Sequence, residues 1–239
     1  MVFLICVAVL LGRLLSPAAI HLSHSTASTV EPRRAVILEA APLRPQRFPE
    51  TTQTSNKSLP LPLCAKFVEG DVPPVDALLT SLDREVYGEM KRILADSGPI
   101  EGGTYTHAPQ VKMYMNFASI SSVNTICETG FNGGHSSFIM LNSNPKARVI
   151  SFDLCKHEYV AKVAQLFSRR YGGRFSLICG NSRITLPKFH AQEPHVGCDL
   201  MLVDGGRLLK TAIQDLLNFR EMASPRNILI LDDCPGYAM

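Results

Sequence analysis

The seven cysteines of this 239-residue chain include no C-x-x-C pair, and its histidines form no cluster at zinc-site spacing. That excludes the common structural zinc sites and the CxxC redox motif. Cys127, Cys155, Cys179, Cys198 and Cys234 instead sit in or beside apolar segments, where the expectation is small buried side chains rather than a disulfide framework, with room for one bridge at most. There is no block of basic residues: 24 Lys and Arg against 21 Asp and Glu leave a net charge of +3, and the cations are scattered. Nucleic-acid binding is therefore not expected. Charged residues are sparse, at 19% against 46% hydrophobic, which describes a globular protein.

The N-terminus lacks the positively charged n-region of a standard leader. It does carry an apolar run over residues 2–11, with small residues following at Ser16, Ala18 and Ala19. Arg13 interrupts a segment that would otherwise approach the length of a bilayer span. Residues 1–20 read first as a secretory signal, second as an uncleaved signal-anchor and third as a mitochondrial presequence. Residues 21–70 are rich in Ser, Thr and Pro without a sustained apolar period, the composition of a disordered stem. Asn56-Lys57-Ser58 within it is an N-glycosylation sequon. Residues 71–239 form the remaining domain.

In that domain Val75, Leu78, Leu79, Leu82, Val86, Met90, Ile93 and Leu94 recur at helical spacing, predicting one helix ended by Gly98-Pro99, and a second helix is expected over 109–120. Strands are then predicted at 123–127, 148–152, 175–179, 200–203 and 228–231, alternating with helices at 135–142, 158–171, 184–189 and 208–222. Strands that are continuous apolar runs, alternating with helices, imply a doubly wound, Rossmann-like α/β fold with a parallel sheet buried on both faces. Ligands of such sheets bind beyond the carboxyl ends of the strands.

Those ends are polar throughout. Glu128 and the glycine loop follow the first strand and Asp153 the second. Gly180-Asn181-Ser182 follow the third, Asp204-Gly205-Gly206 the fourth and Asp232-Asp233 the fifth. A loop that opens a helix favours an anion at the helix N-terminus, and an acid about 25 residues after Glu128 suits ribose hydroxyls. The ligand is expected to carry an anionic end and a ribose. No G-x-G-x-x-G occurs there, which counts against a dinucleotide; the order is Gly130-x-x-Gly133-Gly134.

The loop "ETGFNGG" resembles the E/D-x-G-x-x-x-G loop of class I S-adenosylmethionine-dependent methyltransferases. "VISFD", "CGNS", "CDLMLVDGG" and "NILILDDC" resemble that family's later motifs in order, from about residue 100 to the end. Among subgroups the resemblance is to small-molecule O-methyltransferases of the catechol and D-G-x-H type. It implies methylation of a small-molecule or glycan acceptor, with S-adenosyl-L-methionine as cofactor. It also implies that Gly130, Asn132 and Gly134 hold the methionine part, Ser136 its carboxylate, Asp153 the ribose, and Asn181 and Ser182 the adenine edge, with Glu128 ordering the loop. Asp204, placed beside the cofactor, would join Asp232 and Asp233 in holding Mg2+. Where the subgroup has a His or Lys base this chain has Arg207, a poor base, leaving Lys210 and His135 as candidates. The family fold continues beyond its fifth strand through a helix and two antiparallel strands. The expectation for this chain is therefore a fold lacking those strands, with one sheet edge exposed or covered in a homodimer. A cofactor-binding domain without catalysis is the second reading, and a nucleotide-linked oxidoreductase the third.

Overall fold

In the computed structural model, backbone and side chains are described for residues 73–103 and 106–232, and backbone alone for 6–11 and 63–64. The glycosylation sequon, nearly all of the stem and Asp233 lie outside the described residues. Strands β1 (Cys6–Leu11) and β2 (Leu63–Cys64) precede the helices α1 (Val75–Leu82), α2 (Arg84–Ala95) and α3 (Ala108–Ala118). The alternating region follows as β3 (Thr125–Thr129), α4 (His135–Ser143), β4 (Arg148–Asp153), α5 (Glu158–Tyr171), β5 (Phe175–Cys179), α6 (Ser182–Gln192), β6 (Cys198–Val203), α7 (Leu209–Met222) and β7 (Ala223–Leu231).

The sheet order is β2-β1-β7-β6-β3-β4-β5. The five strands from β7 to β5 run parallel, as continuous apolar runs linked by helical crossovers require. Helices α1 to α5 cover one face, packing Leu79, Val111, Phe138 and Val163 against Ile126, Val149, Leu200 and Ile230. On the other face α6 and α7 pack Leu186, Ala212 and Phe219 against Phe152, Met201 and Val203. Among the described residues no helix is long and apolar enough to cross a membrane.

The structure departs from the sequence expectations most in four places. The first predicted helix is two, because Asp83 adopts extended backbone (φ −159, ψ 100) and its carboxylate caps α2 by accepting from the amides of Glu85 and Val86. Strand β3 runs two residues further than predicted, so Glu128 lies inside it. The sheet edge beside β7 is not open. The apolar run read as a leader supplies β1, antiparallel to β7 from Cys6↔Leu231 to Leu11↔Arg226, which satisfies the backbone groups of that edge. Lastly, two disulfides form where buried thiols were expected: Cys127–Cys198 joins β3 to β6, and Cys155–Cys179 joins the chain after β4 to the end of β5.

The strand starts are fastened by polar side chains. Asp199 Oδ2 accepts from the amides of Asn124 and Thr125 at 2.9 and 3.0 Å. Asn144, buried after α4, donates to the carbonyls of Ala118 and Val123 and accepts from the amides of Lys146 and Ala147. Four bonds on one side chain hold the turns entering β3 and β4 together. Asn144→Ala is expected to cost about 2 kcal/mol, read as a lower urea midpoint with an unchanged denaturant slope.

Candidate functional site

Strand order reverses between β3 and β6, each having its chain continue outward to one side. A crevice opens at the carboxyl end of such a pair because the following loops leave in opposite directions. The loop after β3 and the loop after β6 meet there. Gly130, at φ 93, lies so close to the second loop that a Cβ would sit 2.0 Å from the backbone oxygen of Asp204. Its amide donates to Phe152 O at 2.8 Å. Gly134 caps α4 at φ 79, where a Cβ would come within 2.9 Å of Val163 Cγ1 and 3.0 Å of Phe131 Cζ. Both glycines are thus demanded by the protein's own packing.

Asn132 holds the loop at its tip, with φ 46. Its backbone amide donates to Asp153 Oδ2 at 2.9 Å, its Oδ1 accepts from Tyr159 OH at 2.7 Å, and its Nδ2 donates to the carbonyl of Glu101. Asp153 ends β4 and is half-buried; its Oδ1 accepts from Cys155 N at 2.6 Å. Each carboxylate oxygen therefore receives one protein hydrogen bond, and a carboxylate oxygen can accept another. Asn181, exposed, caps α6 by accepting from Arg183 N at 3.1 Å, and Ser182 is the first residue of that helix.

Ser136 does not face this crevice as expected, and Glu128 lies beneath the loop. Glu128 is fully buried and accepts from the hydroxyls of Ser136 at 2.7 Å, Ser151 at 2.6 Å and Ser137. Burial raises its pKa, and the three serine donors oppose the rise. Ser136, expected at the cofactor carboxylate, is itself buried and committed to Glu128. The two form a brace between β3, β4 and α4 beneath the loop.

Asp204 and Asp232 continue β6 and β7 at the same edge, their amides donating to Thr129 O and Val203 O, both at 3.0 Å. Asp232 is buried and its Oδ2 accepts from Gln110 Nε2 at 2.6 Å and from Tyr114 OH at 3.3 Å. Burial and the charges of Asp232 and Asp204 push the Tyr114 hydroxyl well above its ordinary pKa, so it remains a donor. Asp233, the third expected metal ligand, lies outside the described residues. Among the described residues no group of three or more ligating side chains comes together.

The candidate bases are also repositioned. His135 begins α4 almost wholly buried, and burial lowers its pKa to about 4, so it is neutral at pH 7 and a weak proton acceptor. Lys210 is exposed in the first turn of α7. Arg207, also exposed, reaches toward the 101–103 segment: a Cβ on Gly102 would lie 3.4 Å from Nη2. Sequence reasoning missed Gln110, Tyr114 and Tyr159. None had a local signal: α3 also carries Lys112 and Asn116, so Gln110 and Tyr114 do not stand out along it.

Residues 127–234 match a family profile described as a methyltransferase domain. Among solved structures, the chain is similar to the O-methyltransferase TomG from Streptomyces achromogenes, involved in tomaymycin synthesis and solved in complex with SAM. The two are 17% identical, with a TM-score of 0.52 over 66% of this chain and 70% of that one. It is also similar to cofactor-bound Rv0187 from MTB, at 20% identity and a TM-score of 0.50, again over 66% and 70%. No curated protein matches the sequence. Residues 127–234 thus carry a match to a methyltransferase domain, on a fold that is that of the class I, Rossmann-like methyltransferases.

Proposed function

We propose that this protein is an S-adenosylmethionine-dependent methyltransferase that methylates an oxygen of a small molecule or glycan within the secretory pathway. The observation that carries the reading is the convergence, at the point where strand order reverses, of the Gly130–Gly134 loop, the Asp153 carboxylate and the first turn of α4. The helix terminus suits a carboxylate, and Asp153 retains acceptor capacity for two ribose hydroxyls. Asn181, Ser182 and the exposed Leu154 border the next part of the same edge. The two named neighbours, one an O-methyltransferase with SAM bound and one cofactor-bound, support the same assignment.

S-adenosylmethionine, when bound, supplies a methyl group already activated by its sulfonium. The protein's task is then mainly alignment of the acceptor oxygen with that methyl. Asn132, tied to β4, α5 and the 101 segment at once, fixes the loop that would set the alignment. The exposed Arg207 and Lys210 lie on the rim, suited to an acceptor with anionic character. Two disulfides favour an oxidising compartment, in keeping with the sequon at Asn56-Lys57-Ser58.

Calorimetric titration of the full chain with S-adenosylhomocysteine tests the reading, and micromolar binding is expected. Binding of NADH without S-adenosylhomocysteine would overturn it in favour of an oxidoreductase. Binding without turnover over a broad acceptor panel would favour a non-catalytic cofactor domain. Asp153→Ala is expected to weaken binding by roughly 1–3 kcal/mol through lost ribose hydrogen bonds. Unchanged affinity in a folded Asp153→Ala protein would remove that role.

A further inference from the structure

The two disulfides occupy different environments. Cys127 and Cys198 are fully buried in the core between the sheet and α6–α7. Cys179 is exposed and Cys155 half-buried, and their bridge lies at the ligand edge of the sheet. It fastens together two segments that carry cofactor-site residues. Cys155 follows Asp153 by two positions and donates its amide to Asp153 Oδ1. Cys179 is the register partner of Asp153, and next to it Gly180 donates to Asp153 O at 2.7 Å. Asn181 follows at once as the cap of α6. Cys155 also holds φ 53, a left-handed conformation that an ordinary side chain adopts only when its surroundings impose it.

We propose that the Cys155–Cys179 bridge is a positioning element of the cofactor site, so that affinity for the ribose–adenine part depends on its oxidation state; this rests on the methyltransferase reading above. With the bridge closed, the chain after β4 is pinned to the end of β5, and Asp153 and Asn181 are held in place before the ligand arrives. A dithiol reductant would attack the exposed Cys179 sulfur through a mixed disulfide. The Cys155–Cys179 bond breaks, both cysteines become thiols by gaining two electrons and two protons, and the reductant leaves as its own disulfide. The left-handed turn at Cys155 then loses its covalent restraint. The ligand must now order that segment on binding, a cost the closed bridge had removed. Cys127–Cys198, without solvent access, is untouched by the same mild treatment.

The test uses the full-length protein, oxidised or treated with low dithiothreitol. Peptide mapping of alkylated cysteines confirms that 155 and 179 have opened and that 127 and 198 have not. S-adenosylhomocysteine is expected to bind the reduced form roughly tenfold more weakly, the loss that follows when one or two pre-ordered side chains must be ordered on binding. Adenosine, used as a competitor, should lose the same factor, and reoxidation should restore both. A Cys155→Ser/Cys179→Ser double variant should bind like the reduced protein and ignore dithiothreitol. If alkylation maps to 155 and 179 and affinity is unchanged, the positioning role is overturned while the methyltransferase reading stands. If neither form binds S-adenosylhomocysteine, both fall.

Discussion

Gly130→Val is expected to leave no cooperatively folded protein. A side chain at this position would start 2.0 Å from the carbonyl oxygen of Asp204 and 2.7 Å from its carbonyl carbon, so a backbone segment, not a flexible side chain, would have to retreat. Valine would also have to occupy φ 93, which a β-branched residue scarcely adopts. Movement is resisted on both sides. Asp204 N is bonded to Thr129 O, and Gly130 N to Phe152 O. The two effects together should cost more than about 4 kcal/mol, a value reached only when strain and overpacking coincide. Loss of the far-ultraviolet signal's cooperative thermal transition would show it. A Gly130→Val protein that melts within a few degrees of wild type would contradict the packing argument. A folded variant that merely lost S-adenosylhomocysteine would assign the glycine to the ligand instead.

The second large effect is expected at Glu128. Replacing it by alanine removes the shared acceptor of the Ser136, Ser137 and Ser151 hydroxyls and leaves a cavity in a site with no solvent access. Ser137 and Ser151 can still bond each other at 2.9 Å, which limits the loss to about 3–5 kcal/mol. Glutamine is the informative companion. Burial puts the folded-state pKa of Glu128 above its ordinary value of 4.5. Its stabilising contribution is therefore complete below 4.5 and declines as pH rises through the raised value, because the folded state resists losing the proton more than the unfolded state does. Glu128→Gln, which cannot ionise, should show a flatter urea-midpoint profile than wild type above pH 4.5. Parallel profiles for the two proteins would mean that the carboxyl titrates alike in the folded and unfolded chains.

Most of the sheet was legible because its strands are buried on both faces, and a strand with two apolar faces reads as a run. The helix over Glu158–Tyr171 and the strand over Phe175–Cys179 appear with their predicted bounds. The break at Asp83 was hidden, since the apolar period continues through it and only the cap residue marks the stop. Glu128 was placed one element too late: an acid after an apolar run looks like the end of a strand, and only its three hydroxyl partners, two of them on the next helix, explain an acid inside. The glycines were correctly seen as special but for a ligand's sake, whereas the nearer cause is the backbone of Asp204, 74 positions along the chain. The disulfides could not be paired from the sequence, because pairing depends on strand order. Parallel neighbours β3 and β6 are distant in sequence, and β4 and β5 are joined through a whole helix. The engagement of Asp232 by Gln110 and Tyr114 spans more than a hundred positions and had no local signature.

The Cys127–Cys198 bridge spans 71 positions, and the chain between them contains Asp153, Asn181 and the entire second bridge. The exposed Gly172-Gly173 turn lies inside both loops. A proteolytic cut there would open the backbone yet release nothing, because the two pieces stay joined once at the middle of the sheet and once at its ligand edge. Damage that would halve an unbridged domain becomes a nick, and each piece remains beside the partner it must repack against. What the arrangement confers is tolerance of a single cut in that turn.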